Sequence, residues 1–200
     1  MKEKIAAGIA IILAVVADGW YCWHIVIGSI SPALATWLIF AVATTVSLLS
    51  YLKHNETKRK PFVANLANRL DPVVVWLVVA FILFAPKGDA QLGKFDIGCL
   101  AASAAILILW AATHSAIAAN LLIQLVMVAA YMPTFFRLFS ARRNTESFVT
   151  WGLTLAVASL FLVPTLRHRD WLAVAYVGRA IGCVMAIIAA MIYFQYIGPR

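Results

Sequence analysis

The chain has 200 residues, of which 64% are hydrophobic and only 12% are charged, and its mean hydropathy is +0.93. This composition excludes an ordinary soluble domain and indicates a protein that crosses a membrane several times. The formal net charge is +8, but the charges cluster between apolar segments, so we expect contact with anionic membrane lipids and no nucleic-acid partner.

Seven apolar segments follow one another along the chain, and each is expected to be a transmembrane helix. They cover about residues 5–25, 33–52, 72–86, 95–112, 117–139, 147–164 and 171–195. Most reach the roughly 17–25 residues that a helix needs to cross the hydrocarbon layer. The third is shorter, at roughly 14 residues, and an extension through Leu70 and Asp71 would lengthen it. The sequence therefore predicts an all-α integral membrane protein.

The chain also repeats one pattern at a distance of 114 positions, so that residues 17–43 and 131–157 align without a gap. Each copy contains a helix end, a polar turn and a Thr-Trp pair at the start of the next helix. If a unit of three spans were followed directly by a second copy, the second copy would have the opposite orientation in the membrane. One additional linker helix between the copies makes their orientations parallel. We therefore expect two parallel three-helix repeats joined by a linker helix (3+1+3), with the first repeat at 1–86, the linker at 87–116 and the second repeat at 117–200.

The polar turn of each copy carries helix-start signals. In the first copy, Ser31 is a capping hydroxyl and Pro32 suits the first helical position. In the second copy, Thr145 is the expected cap, and Glu146 places a negative charge at the positive end of the helix. We expect the second and sixth spans to begin at these residues.

Two positions are predicted to weaken the helices that precede these turns. Pro133 lies near the end of the fifth span, where loss of a backbone hydrogen bond should kink the helix. Gly19 stands at the aligned position of the first span and lowers helix stability through its backbone freedom. We interpret both as hinge positions.

The two aligned tryptophans, Trp37 and Trp151, each fall about a turn and a half into their helices. At that depth an indole ring either anchors the helix at the membrane interface or lines an internal cavity. The sequence leaves the two interpretations equally open.

The duplicated motif resembles that of the PQ-loop superfamily, which includes the SWEET sugar transporters. The resemblance depends on Pro133-Thr134, Glu146 and Thr150-Trp151, and it is strongest to bacterial seven-span members. It implies a SWEET-like seven-helix fold and a transport function. Neither copy has a Pro-Gln dipeptide, and the third and seventh apolar segments contain no asparagine, so a sugar substrate is not implied.

Ionisable residues inside spans usually face the bundle interior because burial in hydrocarbon is costly. Asp18 lies in the first span and Arg179 in the seventh. Either the two form a salt bridge or line a shared cavity, or each sits separately near the head groups. If Arg179 instead faces a cavity without an acidic partner, it favours an anionic substrate.

Three further polar side chains complete the predicted substrate site. Asn120 and Gln124 lie one helical turn apart on the fifth span and share a face. They either bind substrate or hold helices together. Trp76, in the third span, is the remaining candidate. The predicted substrate-binding residues are thus Asp18, Trp76, Asn120, Gln124 and Arg179.

The motifs of common enzyme classes do not occur in the sequence, including G-x-S-x-G, H-E-x-x-H and phosphate-binding glycine loops. The three cysteines, Cys22, Cys99 and Cys183, lack metal-ligand spacing. We therefore expect no enzymatic activity, no cofactor and no metal site.

These observations lead to one functional hypothesis and one alternative. The hypothesis is a transporter that moves a small polar solute by alternating access between two three-helix bundles. The alternative is a receptor or scaffold of the same fold that does not transport and uses the basic segment Lys58-Arg59-Lys60 to recruit lipid or protein. We expect the protein to lie in a bacterial inner (plasma) membrane and to bind a small-molecule substrate that the sequence does not identify. The sequence leaves homo-oligomerisation open.

Overall fold

The computed structural model describes residues 2–55, 66–85, 90–112 and 116–197. Within these ranges the protein consists of helices connected by short turns. The α-helices are α1 (Lys2–Ile27), α2 (Leu34–Asn55), α3 (Leu66–Phe84), α4 (Lys94–Ala112), α5 (Ala116–Ala129), α6 (Met132–Ala141), α7 (Phe148–Arg167) and α8 (Trp171–Ile192), the last of which continues as a π-helical turn over Tyr193–Ile197.

Seven of the described segments are long and apolar enough to cross a membrane, because α5 and α6 together make one span. The prediction of an all-α membrane protein with seven spans is therefore confirmed. The basic segment Lys58-Arg59-Lys60 lies outside the described residues.

The third span is longer than its apolar segment suggested. It begins at Leu66, six residues before Pro72, and reaches 19 residues. The sequence pattern missed this first turn and a half because Asn68, Arg69 and Asp71 interrupt the apolar run. Since Asn68 is buried inside the bundle, the polar face of this turn points toward other helices, and the third helix does contain an asparagine.

The helices on the two sides of the bundle have matching neighbours. On one side α3 packs against both α1 and α2, and on the other α8 packs against α5, α6 and α7. Between the sides, α1 packs along α7 and α2 packs along α5. We refer to α1–α3 as the first half and to α5–α8 as the second half.

The fourth helix lies at the edge of the bundle. It packs mainly against α5, with smaller contacts to α2 and α6, and its buried residues are Asp96 and Ser103. Large apolar side chains such as Ile108 and Leu109 are exposed on it. These exposed side chains suit contact with lipid chains.

The turns that follow α1 and α6 have the same backbone conformation. Gly28, which directly follows α1, has a φ angle of 71°, and Arg142, which directly follows α6, has a φ angle of 49°. The two residues are 114 positions apart, the spacing at which the sequence repeats. After α1, the Ser29 backbone N–H donates to the His24 carbonyl at 3.0 Å, a bond typical of helix ends closed by a left-handed residue.

The helices after these turns begin later than expected. Helix α2 starts at Leu34, and the Ser31 hydroxyl accepts a hydrogen bond from Arg137 at 2.8 Å. Helix α7 is capped by Ser147, whose side chain accepts from the Thr150 backbone N–H. The predicted caps at Ser31 and Thr145 were therefore wrong, because these two residues instead join the halves: Ser31 accepts from Arg137, and its backbone N–H donates to the Thr145 carbonyl at 3.4 Å.

The two predicted hinge positions behave differently. The fifth span breaks between Ala129 and Met132, and Pro133 is the second residue of the helix that resumes after the break. Proline cannot donate to the carbonyl four residues earlier, so a break at this place has a direct cause. By contrast, α1 runs through Gly19 without interruption, and this continuous helix packs along α7.

Candidate binding cavity

A cavity of about 130 Å³ lies between the two halves and is lined by six of the seven spans, all except α4. Its ionisable lining residues are Asp18, Asp71 and Arg179, its aromatic ones are Trp37, Phe40, Tyr131, Trp151 and Phe161, and its hydroxyl-bearing ones include Thr44, Thr150 and Thr154. Charged groups and aromatic faces thus meet at one place inside the membrane-spanning part of the protein.

Arg179 projects from α8 into this cavity. Its Nε donates to Gln124 Oε1 at 2.8 Å, and its guanidinium carbon lies 5.1 Å from the centre of the Tyr176 ring. Its Nη1 is buried and has no hydrogen-bond partner in the described structure. One edge of the guanidinium is therefore held in place, while another donor remains for a ligand.

Asp71 is the acidic residue associated with Arg179. It accepts a hydrogen bond of 2.5 Å from the Tyr176 hydroxyl and lies within electrostatic range of the guanidinium. The group formed by Asp71, Tyr176, Arg179 and Gln124 joins α3, α8 and α5. Its positive and negative charges largely offset each other.

Asp18 occupies a different part of the cavity wall, on α1. The charged group that acts on it is Asp71, which has the same sign. Among the described residues, no hydrogen bond or ion pair holds the Asp18 carboxyl. Of the alternatives for Asp18 and Arg179, the structure shows a shared cavity and not a salt bridge.

The predicted site residues are thus only partly brought together. Asp18 and Arg179 line the cavity and Gln124 orients Arg179. Trp76 lies elsewhere, since its side chain is 47% exposed and its indole N–H donates to Thr45 Oγ1 at 3.2 Å. Asn120 is on α5, but its side chain lies outside the described part of the structure.

Sequence reasoning missed Asp71 and Tyr176 as members of this site. For Asp71 a signal was present, because an acidic residue stood at the edge of an apolar segment too short to span the membrane. Extending that helix buries the carboxyl. Tyr176 had no such signal, since a tyrosine near the start of a span is equally typical of the membrane interface.

The aromatic wall of the cavity decides between the two interpretations of the aligned tryptophans. Trp37 and Trp151 are 7% and 4% exposed, and both line the cavity. They belong to a chain of neighbouring aromatic rings. The distance between ring centres is 5.0 Å for Tyr21 and Trp37, 4.7 Å for Phe40 and Tyr131, and 6.1 Å for Tyr131 and Trp151. The cavity-lining interpretation therefore applies to both.

A second polar cluster closes the bundle at the end formed by residues 28–33 and 142–147, which we call the loop end. Glu146 is buried there, and its Oε2 accepts hydrogen bonds from the Tyr21 hydroxyl at 2.8 Å and from Trp151 Nε1 at 3.1 Å. Burial raises the pKa of Glu146 from 4.5 to about 7, although these two hydrogen bonds and the charge of Arg137 act in the opposite direction. Glu146 therefore changes its charge near neutral pH.

Further hydrogen bonds join the halves at both ends of the bundle. At the loop end, Thr36 Oγ1 and Thr134 Oγ1 lie 2.9 Å apart, and Arg137 Nη1 donates to the Ser31 carbonyl at 2.9 Å. At the opposite end, the Tyr51 hydroxyl donates to Asp170 Oδ2 at 2.9 Å. The cavity is thus bordered above and below by polar contacts that water can replace.

Within the described residues, no group of three or more His, Cys, Asp or Glu side chains could hold a metal ion. The groups that face the cavity are instead suited to hydrogen bonding, ion pairing and stacking. No known protein family, curated protein or solved structure matches this chain, so the cavity and its lining residues carry the functional assignment.

Proposed function

We propose that the protein is a membrane transporter of a small polar solute and that it works by alternating access. The observation that carries this proposal is the cavity between the halves, which places Asp18, Asp71 and Arg179 at membrane depth. Ionisable groups inside spans are costly unless paired, and they commonly mark a substrate pathway. We further propose a bacterial inner membrane as the location.

We also propose that the two halves are parallel three-helix repeats joined by α4, as in the SWEET-like members of the PQ-loop superfamily. The packing supports this proposal, because exchanging each first-half helix for its aligned partner converts the α1–α7 contact into the α5–α2 contact. The left-handed residues at Gly28 and Arg142 also recur at the repeat spacing. Parallel repeats of this kind place the substrate at the interface between them.

The distribution of contacts between the halves suits alternating access. Hydrogen bonds join the halves at each end of the cavity, and a net bond of this type stabilises by only about 0.5–1.5 kcal/mol. Water can replace these bonds when one end opens, which lowers the free-energy cost of opening. The helix break before Pro133 gives α6 a place to move relative to α5.

A disulfide lock tests the alternating-access proposal directly. Thr36→Cys and Thr134→Cys, introduced together in a background with Cys22, Cys99 and Cys183 replaced by alanine, would join α2 to α6 where the two hydroxyl oxygens lie 2.9 Å apart. The protein would be reconstituted in vesicles and screened with amines, amino acids, sugars and carboxylic acids. Oxidation should abolish flux in the double variant, and reduction should restore it.

The single Thr36→Cys variant is the matched control, because it carries one of the two changes and cannot form the lock. Equal flux before and after confirmed cross-linking would contradict alternating access at this interface. Absence of flux for every solute in the reduced protein would favour the receptor or scaffold alternative instead.

A further inference from the structure

We infer that the central cavity recognises a small organic cation, with its ammonium group at Asp18 among the aromatic rings. This inference rests on the proposed function for its location, but it concerns binding and can be tested without transport. It starts from the charges on the cavity wall.

The cavity contains two acidic side chains and one basic side chain. Arg179 keeps its charge at any physiological pH, and it lies beside Asp71, which is also hydrogen-bonded by Tyr176. This arrangement leaves Asp18 without a compensating charge or hydrogen-bond donor among the described residues. A carboxylate in such surroundings is costly unless a positive group accompanies it, and a ligand ammonium would supply that group.

The surface around Asp18 also suits a cation. Five aromatic side chains line the same cavity, namely Trp37, Phe40, Tyr131, Trp151 and Phe161. The face of an aromatic ring attracts an ammonium group, and the attraction is strongest where water is excluded. An anionic solute gains no such electrostatic attraction from the faces of these rings.

Two other residues of the cavity wall offer hydrogen bonds for the remainder of the ligand. Thr150 is 3% exposed, its hydroxyl oxygen is buried without a partner in the described structure, and it lines the cavity. Arg179 Nη1 is likewise without a partner. Both can donate to an oxygen atom of the ligand, so an amine that also carries a hydroxyl or carboxylate group fits best.

The size of the cavity limits this ligand. The cavity volume of about 130 Å³ is well below the roughly 300–1,000 Å³ of pockets that hold drug-sized ligands. The ligand is therefore a compact amine of a few non-hydrogen atoms. Larger peptides and oligosaccharides do not fit without opening of the helices.

Binding of four small probes to the full-length protein in lipid nanodiscs tests the inference. Ethanolamine and tetramethylammonium carry a positive charge, whereas acetate is negative and glycerol is neutral. Calorimetric titration should detect the two cations at millimolar concentration and neither of the others. Equal or stronger binding of acetate or glycerol, or no binding of either cation because Asp18 holds only a proton, would overturn the inference.

Two variants locate the binding site. Asp18→Asn should weaken both cations about tenfold or more, since it removes the negative charge that the ammonium group faces. Asp96→Asn is the matched control, because Asp96 lies on α4 and accepts from the Gly93 backbone N–H, outside the cavity lining. Cation binding that is unchanged in Asp18→Asn, or equally weakened in Asp96→Asn, would contradict the assignment.

A third variant separates charge from general damage to the cavity. Arg179→Gln removes the positive charge, so tetramethylammonium should bind as well as before or more tightly. Loss of its binding in a variant that remains folded would overturn the inference. Cation binding without any flux would leave the inference standing and contradict the transport proposal. Flux restricted to anions or sugars would support the transport proposal and overturn the inference.

Discussion

Segments 17–43 and 131–157 align in sequence, and each leads from one helix through a left-handed turn into the next helix. They differ in the continuity of their helices and in the polar side chains that they supply. The first passes Gly19 as continuous helix, whereas the second is broken just before Pro133. The comparison shows that a common backbone path tolerates different side chains, while bending is concentrated in one copy.

The polar contributions of the two segments differ as well. The first segment supplies Asp18 to the cavity and Tyr21 as a donor. The second supplies Glu146 as the acceptor and Arg137 as a cation. The contacts at the loop end therefore join unlike partners across the two copies, and substitutions in one copy should not have the effect of the aligned substitutions in the other.

The largest contrast is expected at the aligned positions 19 and 133. Gly19→Pro should destabilise the protein by about 3 kcal/mol or more, because proline removes a hydrogen bond from the continuous α1 and clashes with the preceding turn. Pro133→Ala should change the free energy of unfolding by only about 1 kcal/mol, since the helix is already broken there. Unfolding of both variants in the same detergent measures the difference.

Gly19→Ala is the control for this pair. A Cβ atom at position 19 would meet no other atom within 4 Å, so alanine should be neutral or stabilise the helix by up to about 1 kcal/mol. Similar losses for Gly19→Pro and Pro133→Ala would show that the two helices do not differ in continuity.

The next effect concerns Glu146, which aligns with Pro32 and therefore has no ionisable counterpart. The pKa of this carboxyl is about 7 in the folded protein, above its ordinary value of 4.5. The folded state thus keeps the proton over a range in which the unfolded state has lost it, and stability falls as the pH rises. The stabilisation of the folded state by this retained proton should be fully present below pH 4.5 and lost by about pH 7. The resulting decrease in the free energy of unfolding should be at most roughly 3 kcal/mol.

Melting temperatures measured between pH 4.5 and pH 8 check this expectation. Glu146→Gln keeps an oxygen acceptor for Tyr21 and Trp151 but cannot ionise, so its profile should be flatter than that of the wild type. Identical slopes for the two proteins would assign the pH dependence to groups other than Glu146.

The smallest contrast is expected at the two left-handed residues. Gly28→Ala should cost about 1–2 kcal/mol, because a side chain disfavours the backbone conformation at φ 71°. Arg142→Gly removes that strain at the aligned position but adds freedom to the unfolded chain, so the net change should stay within about 0.5 kcal/mol. Equal losses at both positions, measured by thermal unfolding, would indicate that Arg142 stabilises its turn through side-chain contacts.

The span boundaries could be predicted where apolar composition alone decides them. The fourth and seventh segments, at 95–112 and 171–195, agree closely with α4 and α8. The third did not, because Asn68, Arg69 and Asp71 look like a loop in sequence. Their polar atoms face other helices in the bundle, and a one-dimensional pattern does not distinguish such a helix turn from a membrane-exposed end.

The site was predictable for the residues that are ionisable and central in a span, namely Asp18 and Arg179. The acidic residue nearest in effect to Arg179 was not, because the choice between Asp18 and Asp71 depends on how α3 packs against α8. The caps at Ser31 and Thr145 show the same limit. Their local pattern predicted a helix start, but these residues are used in contacts with segments more than 100 positions away.

The tryptophans of the cavity provide a built-in optical signal. Trp37 and Trp151 line it, whereas Trp20, Trp23, Trp76 and Trp171 lie on the exposed surface. A molecule that enters should change the emission of the first two, while a quencher dissolved in the lipid phase should suppress mainly the others. Occupancy of the cavity can therefore be followed by fluorescence in the unlabelled protein, with Trp37→Phe and Trp151→Phe identifying the source of the change.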